Sequence, residues 1–395
     1  MKSKFLVVLV AILTLVSCSE KDLYTEVDTE KGVADLIVPA GFGWSTVSAV
    51  NCRFTASSNT YVYVYTASDC EDSSLVAEFT VVPGDDEGLD LDIPCSVKQL
   101  YVKVGDVVTL VDIKNNVAEL NIPSATRANN GNLPGEDLGG IRYFPAKAGM
   151  ATVMFEDYFP VKGDFDFNDY VINYRYEASI EGSNDDNKKV KDIKFDIKIR
   201  ARGGLYAYTP YLRLIAANGQ FSSKEEIESD GATVVDTNPV VLSIDKYSAK
   251  PVGAQYLNTK PNEVKVPAAD LETTTFHLFF HSNGMSQKHL KVDFFLRGTG
   301  HQEQSYEIHE RGFEATSASF YPKGDFGLDS TVPYATTDNL VWGFTVPADI
   351  PHATETTNFL NAYPKFAQWV QSNGTSAQDW YNMANRKPEY LFEMD

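Results

Sequence analysis

Ile193-Lys194-Phe195-Asp196-Ile197-Lys198-Ile199-Arg200 decides the fold class, because its apolar and charged residues alternate without a break. A repeat of two is the spacing of a β-strand with one face on a core and the other in water, whereas a helix places an apolar residue every three or four. Working outward, comparable runs stand at Tyr170–Ile180, Tyr211–Ala216, Val240–Ile244, Thr275–Phe280, Leu290–Leu296 and Leu340–Val346. Upstream, Tyr61-Val62-Tyr63-Val64-Tyr65, Leu75–Val82, Leu100–Val104, Val107–Ile113 and Val117–Ile122 repeat the pattern, broken by turn formers such as Pro83-Gly84-Asp85-Asp86-Glu87-Gly88. A helix is expected only near the C-terminus, where Pro364, Phe366, Trp369 and Val370 lead to Asn373-Gly374 as a stop. The expected fold is mainly β: two antiparallel, jelly-roll-like β-sandwich domains with a short C-terminal helical segment.

The N-terminal sandwich is placed at residues 34–123 and the second at 141–395. Between them, 124–140 carries Ala128-Asn129-Asn130-Gly131-Asn132-Leu133-Pro134-Gly135 and Gly139-Gly140 and reads as a linker. Cys52, Cys70 and Cys95 fall in the first sandwich; one bridge among them in any of three pairings, or three buried free thiols, are both open. Tyr61, Tyr63 and Tyr65 form a stripe that is either a cross-strand ladder packed for stability or a surface for sugars. Trp369, Trp380 and Tyr381 read as core aromatics.

With 395 residues, 43% of them hydrophobic, the chain buries a sizeable core, and disorder is excluded. The 54 acids against 34 bases give a net charge of −20, which excludes a nucleic-acid-tracking surface and favours cations as partners. Met1-Lys2-Ser3-Lys4 precedes an apolar run, Phe5 to Val16, interrupted only by Thr14. That is the pattern of a secretory signal at 1–17, and it is shorter than the roughly 20 residues a spanning helix needs. Leu15-Val16-Ser17-Cys18 resembles a bacterial lipobox, making Cys18 the lipidated first residue of the mature chain and 18–33 an acidic tether. An ordinary cleaved signal beside an accidental cysteine is the alternative. The expected location is the outer membrane, on the cell surface, with the membrane reached through the lipid.

The densest chemistry lies between Phe155 and Asp169: Glu156, Asp157, Asp164, Asp166, Asn168 and Asp169 offer hard oxygens, five of them carboxylates. Crowded carboxylates repel unless splayed into water or neutralised, and oxygen donors in this number suit calcium. Residues four apart on an extended strand lie about 13 Å from each other, too far for one ion, so Asp164 to Asn168 must curl. The order is that of a calcium loop's first ligands but not of an EF-hand, since Asp169 stands where the turn glycine belongs and Arg175 where the bidentate glutamate belongs. The competing reading is a turn whose carboxylates cap backbone N–H groups.

Phe155-Glu156-Asp157, the Gly163-Asp164-Phe165-Asp166-Phe167-Asn168-Asp169 run and Val171-Ile172 resemble the signature of the LruC-domain family of bacterial envelope lipoproteins. Trp342, Pro347, Ala362-Tyr363-Pro364, Phe366, Trp369 and Asp379-Trp380-Tyr381 are similar to that family's closing motif. The resemblance implies a secreted β-rich domain from Ile141 to the end and supplies no catalytic residues.

Motifs for a serine nucleophile, a nucleotide or a zinc protease are missing from the sequence. His277 and His281 would sit about 13 Å apart on a strand, too far to share zinc. Glu307, His309 and Glu310 offer acid/base chemistry but also suit a charged strand end. The expected function is therefore non-catalytic: binding or adhesion, to a glycan or a surface protein, with calcium stabilising the acidic loop. The alternatives are an envelope glycan-processing enzyme and a structural subunit of a surface assembly.

Overall fold

Period-two runs become strands wherever a neighbour takes up their backbone groups, and in the computed structural model of the chain nearly all of them do. It describes residues 31–85, 87–123, 139–181, 188–217, 221–244, 246, 257–259, 265–281, 284–319, 321–322, 326–355, 357–392 and 394. Cys18 and most of the tether lie outside the described residues, as does most of the expected linker.

The first seven strands are β1 (Val47–Thr55), β2 (Thr60–Tyr65), β3 (Leu75–Val81), β4 (Leu89–Pro94), β5 (Gln99–Val104), β6 (Val107–Lys114) and β7 (Val117–Asn121). They fold over a core of Val50, Cys52, Phe54, Val62, Val64, Leu91, Leu100 and Val102. Antiparallel pairing dominates, but β1 and β7 run parallel, Asn51 opposite Val117. Cys52, Cys70 and Cys95 are free thiols, and burial pushes the Cys52 thiol up to about 12. Tyr61 and Tyr63 are half-buried with their rings edge to face at 5.3 Å, while Tyr65 packs with Leu75 and Tyr143. The stripe is thus part of a small packed cluster on the sheet's outer side.

The remaining strands are β8 (Gly140–Phe144), β9 (Ala151–Phe155), β10 (Tyr170–Glu181), β11 (Lys189–Arg202), β12 (Ala207–Ile215), β13 (Ile227–Asp230), β14 (Thr233–Thr237), β15 (Val240–Ser243), β16 (Thr274–Phe280), β17 (Met285–Ser286), β18 (Lys291–Thr299), β19 (Ser305–Ile308) and β20 (Gly343–Val346). A five-stranded sheet, β14-β15-β12-β18-β19, packs on the layer containing β10 and β11, with Tyr174 and Phe195 meeting Phe294. The helical segment is two short pieces, α1 (Phe359–Ala362) and α2 (Phe366–Gln371). Asn373 and Gly374 then take left-handed backbone, with the Gly374 N–H closing onto the Trp369 carbonyl at 2.9 Å.

The domain boundary departs from expectation. β8 pairs with β3 on one side and β10 on the other, so a single sheet runs from the N-terminal strands into the second half of the chain. Gly140 is a strand residue: a Cβ there would stand 2.3 Å from the Phe79 Cβ. What reads as a flexible Gly-Gly pair is the point where two backbones approach too closely for a side chain. Residues 33–46 likewise leave the N-terminal sandwich and lie on the C-terminal aromatic cluster. Phe42 packs on Trp369 at 4.8 Å, and the Trp44 indole N–H donates to the Asn339 carbonyl at 2.8 Å.

Candidate metal centre

The acidic run is the loop of the β9–β10 hairpin. Phe155 and Tyr170 face each other in register, so Glu156 and Asp169 leave the mouth of the hairpin together. Glu156 N–H donates to the Trp342 carbonyl at 2.8 Å, and the Trp342 indole donates to the Val161 carbonyl at 2.9 Å, tying the loop to the start of β20. No strand runs through the loop, and it curls by an unusual device. Phe165 and Phe167 both adopt left-handed backbone, φ +57° and +53°. Left-handed geometry costs an L-residue about 1–2 kcal/mol, and burying a phenylalanine returns about 1.5–3 kcal/mol. Both rings are buried, Phe167 against Phe344 at 4.8 Å and Phe359 at 5.4 Å.

The curl turns the Phe165 and Phe167 N–H groups onto Glu156, to Oε2 at 3.1 Å and Oε1 at 2.6 Å. Glu156 is fully buried. Gly163 is required by proximity: a Cβ there would lie 2.5 Å from Glu156 Oε2. Around this carboxylate, one oxygen each from Glu156, Asp164 and Asp166 lie within 4.8 Å of one another. Two oxygens bound to one calcium at about 2.4 Å cannot be further apart than about 4.8 Å, so the three satisfy the geometric condition for a shared ion. Asp164 is exposed and gives the group an open side. Asn168 is buried beside it; its Nδ2 donates to Asp166 Oδ2 at 2.7 Å and the Ala353 carbonyl at 3.3 Å, while its Oδ1 has no hydrogen-bond partner.

Asp157 and Asp169 turn elsewhere. Asp169 Oδ2 accepts from the Asp157 N–H at 2.8 Å, and Asp157 Oδ2 from the Tyr206 N–H at 2.6 Å. Of the six expected ligands, then, three converge, Asn168 adjoins them, the Asp157 carboxylate holds the Tyr206 N–H and the Asp169 carboxylate holds the Asp157 N–H. Carboxylates of the run thus cap N–H groups, and three of them also meet.

Burial, followed by the charges of Asp164 and Glu355, pushes Asp166 up to about 8. Burial first, then Asp169, Asp166 and Asp164, raises Glu156 well above the usual carboxylate range; burial and Asp157 do the same to Asp169. Two ionised carboxylates 4.8 Å apart repel by about 3 kcal/mol at an effective dielectric near 20. Such a group holds either protons or a cation. Three carboxylates, a spare amide oxygen and a solvent-facing side fit a hard divalent ion with water filling the remaining positions. Glu355, nearly 190 residues downstream of Asp166, is the charge that local reading misses; only tertiary packing brings it near.

The other candidates resolve differently. His277 lies within β16, and His281 stands beyond it, 3.5 Å from Glu228. Glu307 and His309 belong to a fully buried network: His309 Nδ1 meets Asp293 Oδ2 at 2.8 Å, and Nε2 meets Glu307 Oε2 at 3.2 Å. Arg213 donates to Asp293 at 2.9 Å, and Arg297 to Glu307 at 2.8 Å. The imidazole is buried, with both ring nitrogens engaged by carboxylates. Glu310 is separate, its carboxylate accepting from the N–H and hydroxyl of Thr345.

A domain family of unknown function, DUF4842, matches residues 188–381. The crystal structure of a putative lipoprotein from Bacteroides ovatus superposes with a TM-score of 0.59 over 85% of this chain and 100% of its own, at 20% identity. That likeness is one of fold. No curated protein matches the chain.

Proposed function

We propose that the chain is a lipid-anchored protein of the outer cell surface, related to the LruC-domain lipoproteins, with a non-catalytic binding role and a calcium ion closing the β9–β10 loop. The observation that carries the metal is the meeting of Glu156, Asp164 and Asp166 within 4.8 Å, in a loop held by two left-handed phenylalanines. The lipobox-like Leu15-Val16-Ser17-Cys18 supports the anchor.

Calcium at 100 times its Kd stabilises a native-only site by about 2.7 kcal/mol. Thermal unfolding with calcium against chelator is therefore expected to separate by several degrees. In Asp166→Ala the two curves should coincide. Equal melting temperatures in the unsubstituted protein would leave the loop as a hydrogen-bonded turn. Radiolabelled palmitate incorporation, lost in Cys18→Ala, tests the anchor.

A further inference from the structure

A cleft of about 400 Å³ opens where residues 43–49 and β4 meet β10, β18 and β20, well away from the acidic loop in the sequence and built from both halves of the chain. Its volume is in the range of small-molecule sites. Trp44, Phe144, Tyr174, Tyr176 and Phe313 supply aromatic lining, and the one wall reaching it from the N-terminal segment is fixed by the Thr46 hydroxyl on the Thr345 carbonyl at 2.6 Å. Glu310 also lines it.

The carboxylates of the cleft are not equivalent. Asp92 already has its counter-charge, Arg142 at 2.8 Å, with the Tyr176 hydroxyl at 3.2 Å. Glu310 is held by neutral donors: the Thr345 N–H at 3.2 Å and the Thr345 hydroxyl, which also bonds the Tyr174 hydroxyl. Burial, with Asp293 adding to it, pushes Glu310 up to about 7. Of the cations at the cleft, Arg311 is committed through Nε to Asn339 Oδ1 at 2.8 Å, and Lys291 is exposed on the edge. An anion backed by neutral donors in a cleft lined by aromatic side chains is complementary to an ammonium group, which gains from the carboxylate and from aromatic rings alike.

We infer that this cleft binds a small organic amine, its ammonium group on Glu310 and its apolar body against the aromatic lining. The inference rests on the binding role proposed above and deepens it by naming the ligand chemistry; it does not depend on calcium.

The test compares isosteric probes on the same protein: 2-phenylethylamine against 2-phenylethanol, and glucosamine against glucose, by calorimetric titration at pH 8. In at least one pair the amine is expected to bind ten times more tightly than its neutral partner. Glu310→Gln should remove that preference. Ala49→Tyr, at an exposed position on the rim, should weaken the amine without touching the carboxylate. Circular dichroism melts establish that both variants fold. Equal binding within each pair, no amine binding at millimolar concentration, or an unchanged amine affinity in Glu310→Gln overturns the inference. Binding that survives both substitutions would leave the protein a binding module with its site elsewhere, so the two readings fail separately.

Discussion

His352 is wholly buried, stacked on Phe392 at 5.3 Å, with its Nε2–H donating to the Asn258 carbonyl and its Nδ1 without a partner. Burial, reinforced by the Arg200 charge, lowers it to about 3 from the ordinary 6.5. The unfolded chain therefore takes up a proton below pH 6.5 that the folded chain refuses until about pH 3. Its contribution to stability is complete above pH 6.5 and falls by about 1.4 kcal/mol per pH unit as the pH drops through that window. Urea midpoints from pH 7.5 to 4.5 should decline more steeply for the native protein than for His352→Gln, which keeps a donor for Asn258; parallel declines would refute the assignment. Glu310 runs the opposite way. Its folded value near 7 lies above the ordinary 4.5, so the protein loses up to about 3 kcal/mol as the pH rises from 4.5 to 7. Glu310→Gln is expected to be more stable than the native protein at pH 8 and no more stable at pH 4, read as a difference in melting temperature.

At the scale of the element, the β9–β10 loop makes a prediction contrary to the usual order of side chains. Glycine is ordinarily more damaging than alanine because it loosens the unfolded chain, yet Phe167 occupies φ +53°. Truncating its ring costs about 3–5 kcal/mol in either case. Phe167→Gly should nonetheless be more stable than Phe167→Ala by about 1 kcal/mol, because only glycine takes left-handed backbone freely. Urea unfolding of the pair decides it, and an alanine variant equal to or better than glycine rejects the strained-loop account. The need for the Asp164–Asn168 segment to curl was legible from distance alone, since an extended strand cannot bring its carboxylates to one point. How it curls was not. Nothing in the letters Phe-Asp-Phe marks left-handed backbone, and Gly163, which reads as a turn former, is needed because Glu156 Oε2 occupies the place of its side chain. The division of labour among the acids also depends on partners at Tyr206, Ala353 and Glu355, which no local pattern indicates.

At the scale of the whole molecule, strand alternation in β2, β3, β5, β6 and β11 made the β-class readable, while the separation of the two halves was misread at Gly139-Gly140. Composition marks glycine pairs as linkers, but register places Gly140 opposite Phe79 with no room for a Cβ. The junction is then sewn by more than one sheet. Lys188 bonds Asp85 and the Gly88 carbonyl, Lys288 bonds Glu87 at 2.7 Å, the Asp90 N–H donates to Gln287 Oε1 at 3.0 Å, and Trp44 sits 5.9 Å from Phe366. Losing the N-terminal half would expose the edge of β8, buried charges at Arg142 and the aromatic face beneath residues 33–46, so neither half has a low-cost route to unfolding alone. Differential scanning calorimetry should accordingly show one transition for the native protein. Gly140→Val forces β8 away from β3 and, with the seam opened, should lower the melting temperature and split the trace in two. Two well-separated transitions before any substitution would mean that the continuous sheet contributes nothing to cooperativity and that the halves behave as independent sandwiches.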